Sequence, residues 1–282
     1  MTRVTYHDLE HPVDNLLRQD RLPHVWCAGC GLGSIVSCYL HAVTDSGIPQ
    51  ERIAVVSGIG CSGRASGYLN FDVFHTTHGR AIAFAVGLKV ANPSLSVSII
   101  SGDGDIAAIG GNHLIHAARR NADLFVLCIN NFLYGMTGGQ SGPTTPIESL
   151  TTTTPYRNQE KPFNLVSLVA SSGATYVARW TSLHVRRLTK SITEALKHPG
   201  FSFIEVLSPC PTTFGRKNNY REAVTMLEYF REKAIIKHDH NPMDTNIELG
   251  DEFYVGKFVD KRLPTLLESL DQVKARALPK GV

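Results

Sequence analysis

What most limits how this chain can fold is an alternation. Runs rich in β-branched and apolar residues recur, and segments of helical period separate them. Arg52–Ser57, Leu95–Ser101, Leu124–Ile129, Thr175–Ala178 and Phe201–Leu207 read as short strands, mostly too apolar to leave a face in water. Gly33–Ser46 places Ile35, Val36, Tyr39, Leu40 and Val43 on one stripe and closes at Ser46-Gly47. Arg80–Val90 is stopped by Asn92-Pro93, and Asn164–Ala170 and Leu183–Lys197 read as further helices. The helix after Gly102-Asp103-Gly104-Asp105 runs to about Arg120. The alternation predicts an α/β domain, a mostly parallel sheet with helices on both faces. This domain is expected over residues 1–237, and the charged, weakly periodic stretch 238–282 as a C-terminal arm or tail that packs on this domain or on a neighbour.

Composition excludes two classes of function. Net charge is only +3, from 28 basic and 25 acidic residues, with no basic cluster to neutralise a run of phosphates, so no nucleic-acid partner is expected. The pair Arg186-Arg187 reads as a solvated helix face. The apolar stretches Ala81–Leu88 and Leu95–Ile100 fall far short of the roughly 20 residues of a membrane-crossing helix. Met1–Glu10 carries charges and no apolar leader core, which predicts a cytoplasmic location.

In open α/β sheets, ligands bind outside the carboxyl edge of the strands. Here that edge carries the loops Gly58–Gly79, Gly102–Asp105, Asn130–Gly139 and Ser208–Lys217. In Gly102-Asp103-Gly104-Asp105 the glycines let the backbone approach a ligand, and the following helix N-terminus offers free N–H groups to an anion. Asp103 can face a diphosphate only across a cation, and a hard Mg²⁺ suits it. Asn130-Asn131 supplies an amide oxygen from the next strand end. Each pair, taken alone, also reads as an ordinary turn.

Gly102-Asp103-Gly104, then 26 residues, then Asn131 resembles the thiamine-diphosphate motif that runs from Gly-Asp-Gly to Asn-Asn. The resemblance implies Mg²⁺ on Asp103, Asn131 and the backbone carbonyl of Leu133, with Gly104, Asp105, Gly135 and Met136 along the diphosphate.

Six cysteines in a chain of 282 residues do not make a disulfide scaffold. Cys38 and Cys128 lie in apolar helix and strand contexts and read as packing residues. Cys27 and Cys30, in Trp26-Cys-Ala-Gly-Cys-Gly31, join Cys61 and Cys210 in loops. By spacing alone these could hold zinc or an iron–sulfur cluster, or the close pair could be redox-active.

Taken in order, WCAGCG at 26–31, SGIGCSG at 57–63, HTTHGRA at 75–81, GDGD, NNFLYGMTGGQ at 130–140 and SPCP at 208–211 resemble the β subunit of 2-oxoacid:ferredoxin oxidoreductases. That implies a [4Fe–4S] cluster on Cys27, Cys30, Cys61 and Cys210, and thiamine contacts along Ile59, Gly60, Cys61 and Ser62. It implies oxidative decarboxylation of a 2-oxoacid with coenzyme A, electrons passing to ferredoxin. It also implies an α subunit with the pyrimidine-binding domain, in an αβ or (αβ)₂ assembly, without which this chain is inactive. Arg64 is a candidate reader of a distal substrate carboxylate and His78 a candidate donor to the substrate carboxylate or oxyanion. Arg64 and Gly138-Gly139 look closer to the 2-oxoglutarate type than to the pyruvate type. Pyruvate and branched-chain 2-oxoacids remain the alternatives. Two other classes stay open: a relay or zinc-stabilised subunit with a vestigial thiamine motif, and a thiamine enzyme without redox chemistry.

Overall fold

The computed structural model describes residues 11–220 and 222–277, so Met1–Glu10, on which the expected location rests, lies outside the described residues. The strands are β1 (Ile53–Ser57), β2 (Asp72–His75), β3 (Ser96–Gly102), β4 (Leu124–Asn130), β5 (Leu133–Tyr134), β6 (Gln140–Ser141), β7 (Tyr176–Thr181), β8 (Phe201–Leu207), β9 (Ala234–Ile236) and β10 (Phe253–Asp260). The α-helices are α1 (Leu32–Ser46), α2 (Ala81–Ala91), α3 (Gly111–Arg119), α4 (Leu165–Ser171), α5 (Val185–Lys197), α6 (Ala223–Lys233) and α7 (Leu266–Ala277). Eight strands form one sheet in the order β2-β1-β3-β4-β8-β7-β10-β9, parallel from β2 to β7. The small hairpin β5-β6 stands apart.

Strict alternation along the central strands divides the core. Val55, Leu127, Ile204 and Ala178 face α1, α5 and α6, whereas Val56, Val126, Phe203 and Val177 face α2, α3 and α4. Both faces are covered, so β1, β4, β7 and β8 are buried along their whole length. This accounts for the unbroken apolar runs.

Three strands of the sheet, β2, β9 and β10, lie where none was expected, the short β9 pairing parallel with β10 at the edge. Edge strand β2 falls inside the expected loop 58–79, and its short, largely exposed sequence lacks an apolar run. Strand β10 lies in the stretch expected as an arm or tail. It pairs antiparallel with β7, buries Phe253 and Val255 on one face and Phe258 on the other, and so packs that segment on the domain's own sheet. Among the described residues no helix is long and apolar enough to cross a membrane.

Candidate functional site

At the carboxyl edge of β1, β3 and β4 the chain leaves a cavity of about 320 Å³. Its lining brings together Ile59, Gly60, Cys61 and Ser62 from the loop after β1, and Asp103, Gly104 and Asp105 from the loop after β3. Asn131, Leu133, Gly135 and Met136 come from the loop after β4, and His78 from the turn before α2. Tyr134, Thr137, Leu32 and Ser208 also line it and were not singled out in the sequence. Arg64 is not in the lining; it is exposed on the 3₁₀ turn Ser62–Tyr68.

Close backbone approach explains the glycines. A Cβ on Gly104 would stand 2.3 Å from Tyr134 Cε1, and one on Gly58 would stand 1.9 Å from Asp105 Oδ2. After Asp103 the chain enters a wide π-helical turn, Gly104–Ile109, closed by Gly110 N–H donating to the Asp105 carbonyl at 3.1 Å. Such turns cost hydrogen-bond geometry and concentrate at functional sites. A second one, Pro211–Gly215, directly follows Cys210.

The two aspartates of this turn do different work. Asp105 is buried and saturated by the protein: Oδ1 accepts from Ile59 N–H at 3.2 Å and Gly79 N–H at 2.8 Å, and Oδ2 from Ser101 Oγ at 2.8 Å. His78 Nδ1 lies 2.7 Å from Asp105 Oδ1. That is ion-pair distance, although the ring does not aim an Nδ1–H along the line. Asp105 therefore ties both loops of the rim to the turn.

Asp103 is 2% exposed and its side chain takes one hydroxyl, Thr144 Oγ1, at 2.5 Å. Burial pushes its carboxyl up to about 6, against the pull of Thr144 and of the backbone at Asn131 and Gly104. A desolvated carboxylate with one hydroxyl partner, beside an amide and a carbonyl and facing a cavity, fits one corner of a hard-cation site completed by diphosphate oxygens. Among the described residues no three His, Cys, Asp or Glu side chains converge on a single-ion position.

The raised carboxyl has a signed consequence for stability. The unfolded chain ionises Asp103 first, so stability from this group is lost as pH rises from about 4 to about 6. In metal-stripped protein at pH 7.5, Asp103→Asn should therefore be more stable than wild type by up to about 3 kcal/mol, a gap that closes below about pH 4. Urea unfolding across that range checks this; an equal gap at both ends would contradict it.

The loop after β4 is held under strain. Phe132 adopts φ +69°, a region sparsely populated by side chains of its size. Asn130 Oδ1 accepts its N–H at 3.0 Å, Thr145 Oγ1 donates to its carbonyl, and its ring is buried 5.3 Å from that of Phe214.

The cysteines divide into two sets. Cys38 and Cys128 are buried in the two core layers. Cys27, Cys30, Cys61 and Cys210 come from three separate loops yet gather beside the cavity. Burial pushes the Cys30 thiol up to about 11, and Cys210, Cys61 and Cys27 each stand close enough to oppose its ionisation further. A Cβ on Gly135 would lie 3.7 Å from Cys61 Sγ and 3.8 Å from Cys210 Sγ, so a wall of the cavity backs onto the thiols. Trp26 Nε1 donates to the Cys61 carbonyl at 2.8 Å and ties the close pair to that loop. Four thiols unpaired in any disulfide, three of them partly buried, form a soft donor set too widely spaced for a single ion and suited to a larger cluster.

Comparison with known proteins agrees with this geometry. Residues 58–206 match the family described as thiamine pyrophosphate enzyme, C-terminal TPP binding domain. The chain is 52% identical to the 2-oxoglutarate synthase subunit KorB of Methanothermobacter marburgensis over 93% of this chain and 91% of that protein. It is 41% identical to the 2-oxoacid:ferredoxin oxidoreductase subunit beta of Saccharolobus solfataricus, over 77% of this chain and 69% of that protein. Among solved structures, a 2-oxoglutarate:ferredoxin oxidoreductase from Magnetococcus marinus, with 2-oxoglutarate, coenzyme A and succinyl-CoA bound, superposes with a TM-score of 0.83 at 32% identity, covering 94% of this chain and 92% of that one. A thiamine-binding domain with the loops described above, matched over most of its length to such proteins, places this chain in the β-subunit family of the 2-oxoacid:ferredoxin oxidoreductases.

Proposed function

We propose that the chain is the β subunit of a cytoplasmic 2-oxoglutarate:ferredoxin oxidoreductase, forming succinyl-CoA and CO₂ from 2-oxoglutarate and coenzyme A and running in either direction with reductant supply. The observation that carries this reading is one cavity bordered both by the Asp103–Asn131 loops and by Cys61, with the other three loop cysteines behind it. Bound there, thiamine diphosphate would supply an electron sink at the carbon that loses CO₂, and a [4Fe–4S] cluster a one-electron acceptor.

The chain's own residues bind and orient. Asp103, Asn131 and the Leu133 carbonyl would hold Mg²⁺; Gly104, Asp105, Gly135 and Met136 would line the diphosphate. Because the Asp105 carboxylate is saturated, its share of that contact falls to the backbone. Ile59, Gly60, Cys61 and Ser62, which line the cavity, would contact thiamine, and Cys27, Cys30, Cys61 and Cys210 would ligate the iron. His78, held beside Asp105 and 36% exposed, turns its ring toward the cavity as a donor for the substrate carboxylate or oxyanion. Arg64 lies outside this cavity, so a carboxylate-reading role for it requires a wall contributed by the companion chain. That companion is an α subunit carrying the pyrimidine-binding domain, in an αβ or (αβ)₂ assembly, and ferredoxin receives the electrons.

The relatives at about half identity are 2-oxoglutarate synthase subunits, which favours 2-oxoglutarate over pyruvate or a branched-chain 2-oxoacid. Coenzyme A-dependent ferredoxin reduction by the anaerobic complex should give its highest kcat/KM with 2-oxoglutarate. A higher value for pyruvate or a branched acid, or turnover by this chain alone, would contradict the reading.

A further inference from the structure

Behind the loop that carries Asn131, on the face covered by α2, α3 and α4, the register sets Arg179 of β7 opposite Glu205 of β8, and Asn130, two residues along β4 from the position opposite Glu205, reaches it with its side chain. All three are buried: Arg179 is 0% exposed, Glu205 1% and Asn130 1%. Arg179 Nε donates to Glu205 Oε2 at 2.6 Å, and Asn130 Nδ2 donates to Glu205 Oε1 at 2.7 Å. Asn130 Oδ1 is thereby left to face Thr144 Oγ1 at 3.0 Å and to accept the N–H of strained Phe132. The single hydroxyl proton of Thr144 is shared between Asn130 Oδ1 and Asp103 Oδ2, which its oxygen bridges. At the other end Arg179 Nη1 donates at 2.6 Å to the carbonyl of Thr245, itself fully buried, so the segment before β10 closes the line.

A fully buried ion pair is a poor way to gain stability, since apolar residues of equal volume serve as well or better. What this pair adds is direction. With both Glu205 oxygens taken by donors, the Asn130 amide has one orientation that leaves no donor facing a donor. That orientation presents an oxygen to the Phe132 N–H and sets the turn from which Asn131 and Leu133 reach the cavity. We infer that Arg179 and Glu205 are positioning residues of the diphosphate–metal site, aiming the Asn131 loop and the Asp103 carboxylate through Asn130 and Thr144. The inference rests on reading the cavity as a Mg²⁺–thiamine diphosphate site.

The test is a double-mutant cycle on the assembled complex, titrating Mg²⁺ at fixed thiamine diphosphate and following binding calorimetrically. Glu205→Gln and Thr144→Val are each expected to raise the half-saturating Mg²⁺ concentration about 10- to 100-fold. Thr144→Ser, which keeps the hydroxyl, should stay within about twofold. The double variant should be no weaker than the weaker single, because both act along one line. Glu194→Gln, in the half-exposed pair with Lys257, serves as a control and should change nothing. Should Glu205→Gln fail to fold, Arg179→Met with Glu205→Leu removes the pair without leaving a lone charge and takes its place in the cycle. Unchanged Mg²⁺ titrations in the Glu205 variants, or full additivity with Thr144→Val, would overturn the inference. Failure of the wild type itself to bind Mg²⁺ with thiamine diphosphate would instead overturn the reading of the cavity.

Discussion

Asp103→Ala in the assembled complex should weaken binding of Mg²⁺ with thiamine diphosphate by more than about 100-fold and silence 2-oxoacid oxidation at ordinary cofactor concentrations. Loss of groups that merely orient a metal ligand costs about 10- to 100-fold, and loss of the ligand exceeds that. Of the two carboxylates of the cavity, Asp105 has two backbone N–H groups, a serine hydroxyl and His78 around it, whereas Asp103 has one hydroxyl, that of Thr144, beside the backbone of Asn131 and Gly104. Calorimetry of cofactor binding, with iron content measured on the same sample, checks the expectation. Iron should be unchanged, because Asp103 is not among the thiols. Binding within about tenfold of wild type would mean that the metal is held elsewhere.

Cys30→Ala should have an effect of the same size on the other half of the site. Cys30 is outside the cavity lining, so its loss should leave thiamine binding nearly intact. Iron and sulfide should fall to a small fraction of wild type, and ferredoxin reduction should drop by about 100-fold or more. Cys38→Ala and Cys128→Ser, in the core, are the matched controls and should keep their iron. Equal iron loss in the core variants would mean that general destabilisation, not ligation, sets the metal content.

Much of this site was legible because its chemistry is local in sequence. Gly102-Asp103-Gly104 and Asn131 each read alone as an ordinary turn, and it is their spacing, through its resemblance to the thiamine-diphosphate motif, together with the strand–turn–helix context from periodicity, that singles them out. The loop cysteines separated from the core cysteines by the same reasoning, since Cys38 and Cys128 sit within apolar periods.

The positioning layer was not legible in this way. Nothing in Tyr176–Thr181 or Phe201–Leu207 says that Arg179 and Glu205 meet; only the register of β7 against β8 pairs them. A charged residue inside an otherwise buried strand is the signal that a partner must exist, and both strands carry one. Thr144 gives no such sign, being one threonine in a long loop. Arg64 shows the converse: its place three residues after Cys61 suggests the cavity, yet the 3₁₀ turn carries its side chain outward. Strand β10 was hidden because Gly256, Lys257 and Asp260 dilute its apolar alternation, and the bulge between Lys257 and Val259 shifts its register.

If thiamine diphosphate and an iron–sulfur cluster share one wall, Ile59 to Ser62, both must be bound by this chain. The most direct test is anaerobic purification of the complex, with absorption spectroscopy and counts of iron, sulfide, zinc and thiamine for wild type and for Cys30→Ala. About four iron and four sulfide should be assigned to this chain through their loss in the variant, with one thiamine diphosphate retained in both. Zinc in place of iron, or iron that Cys30→Ala does not remove, would contradict the shared wall.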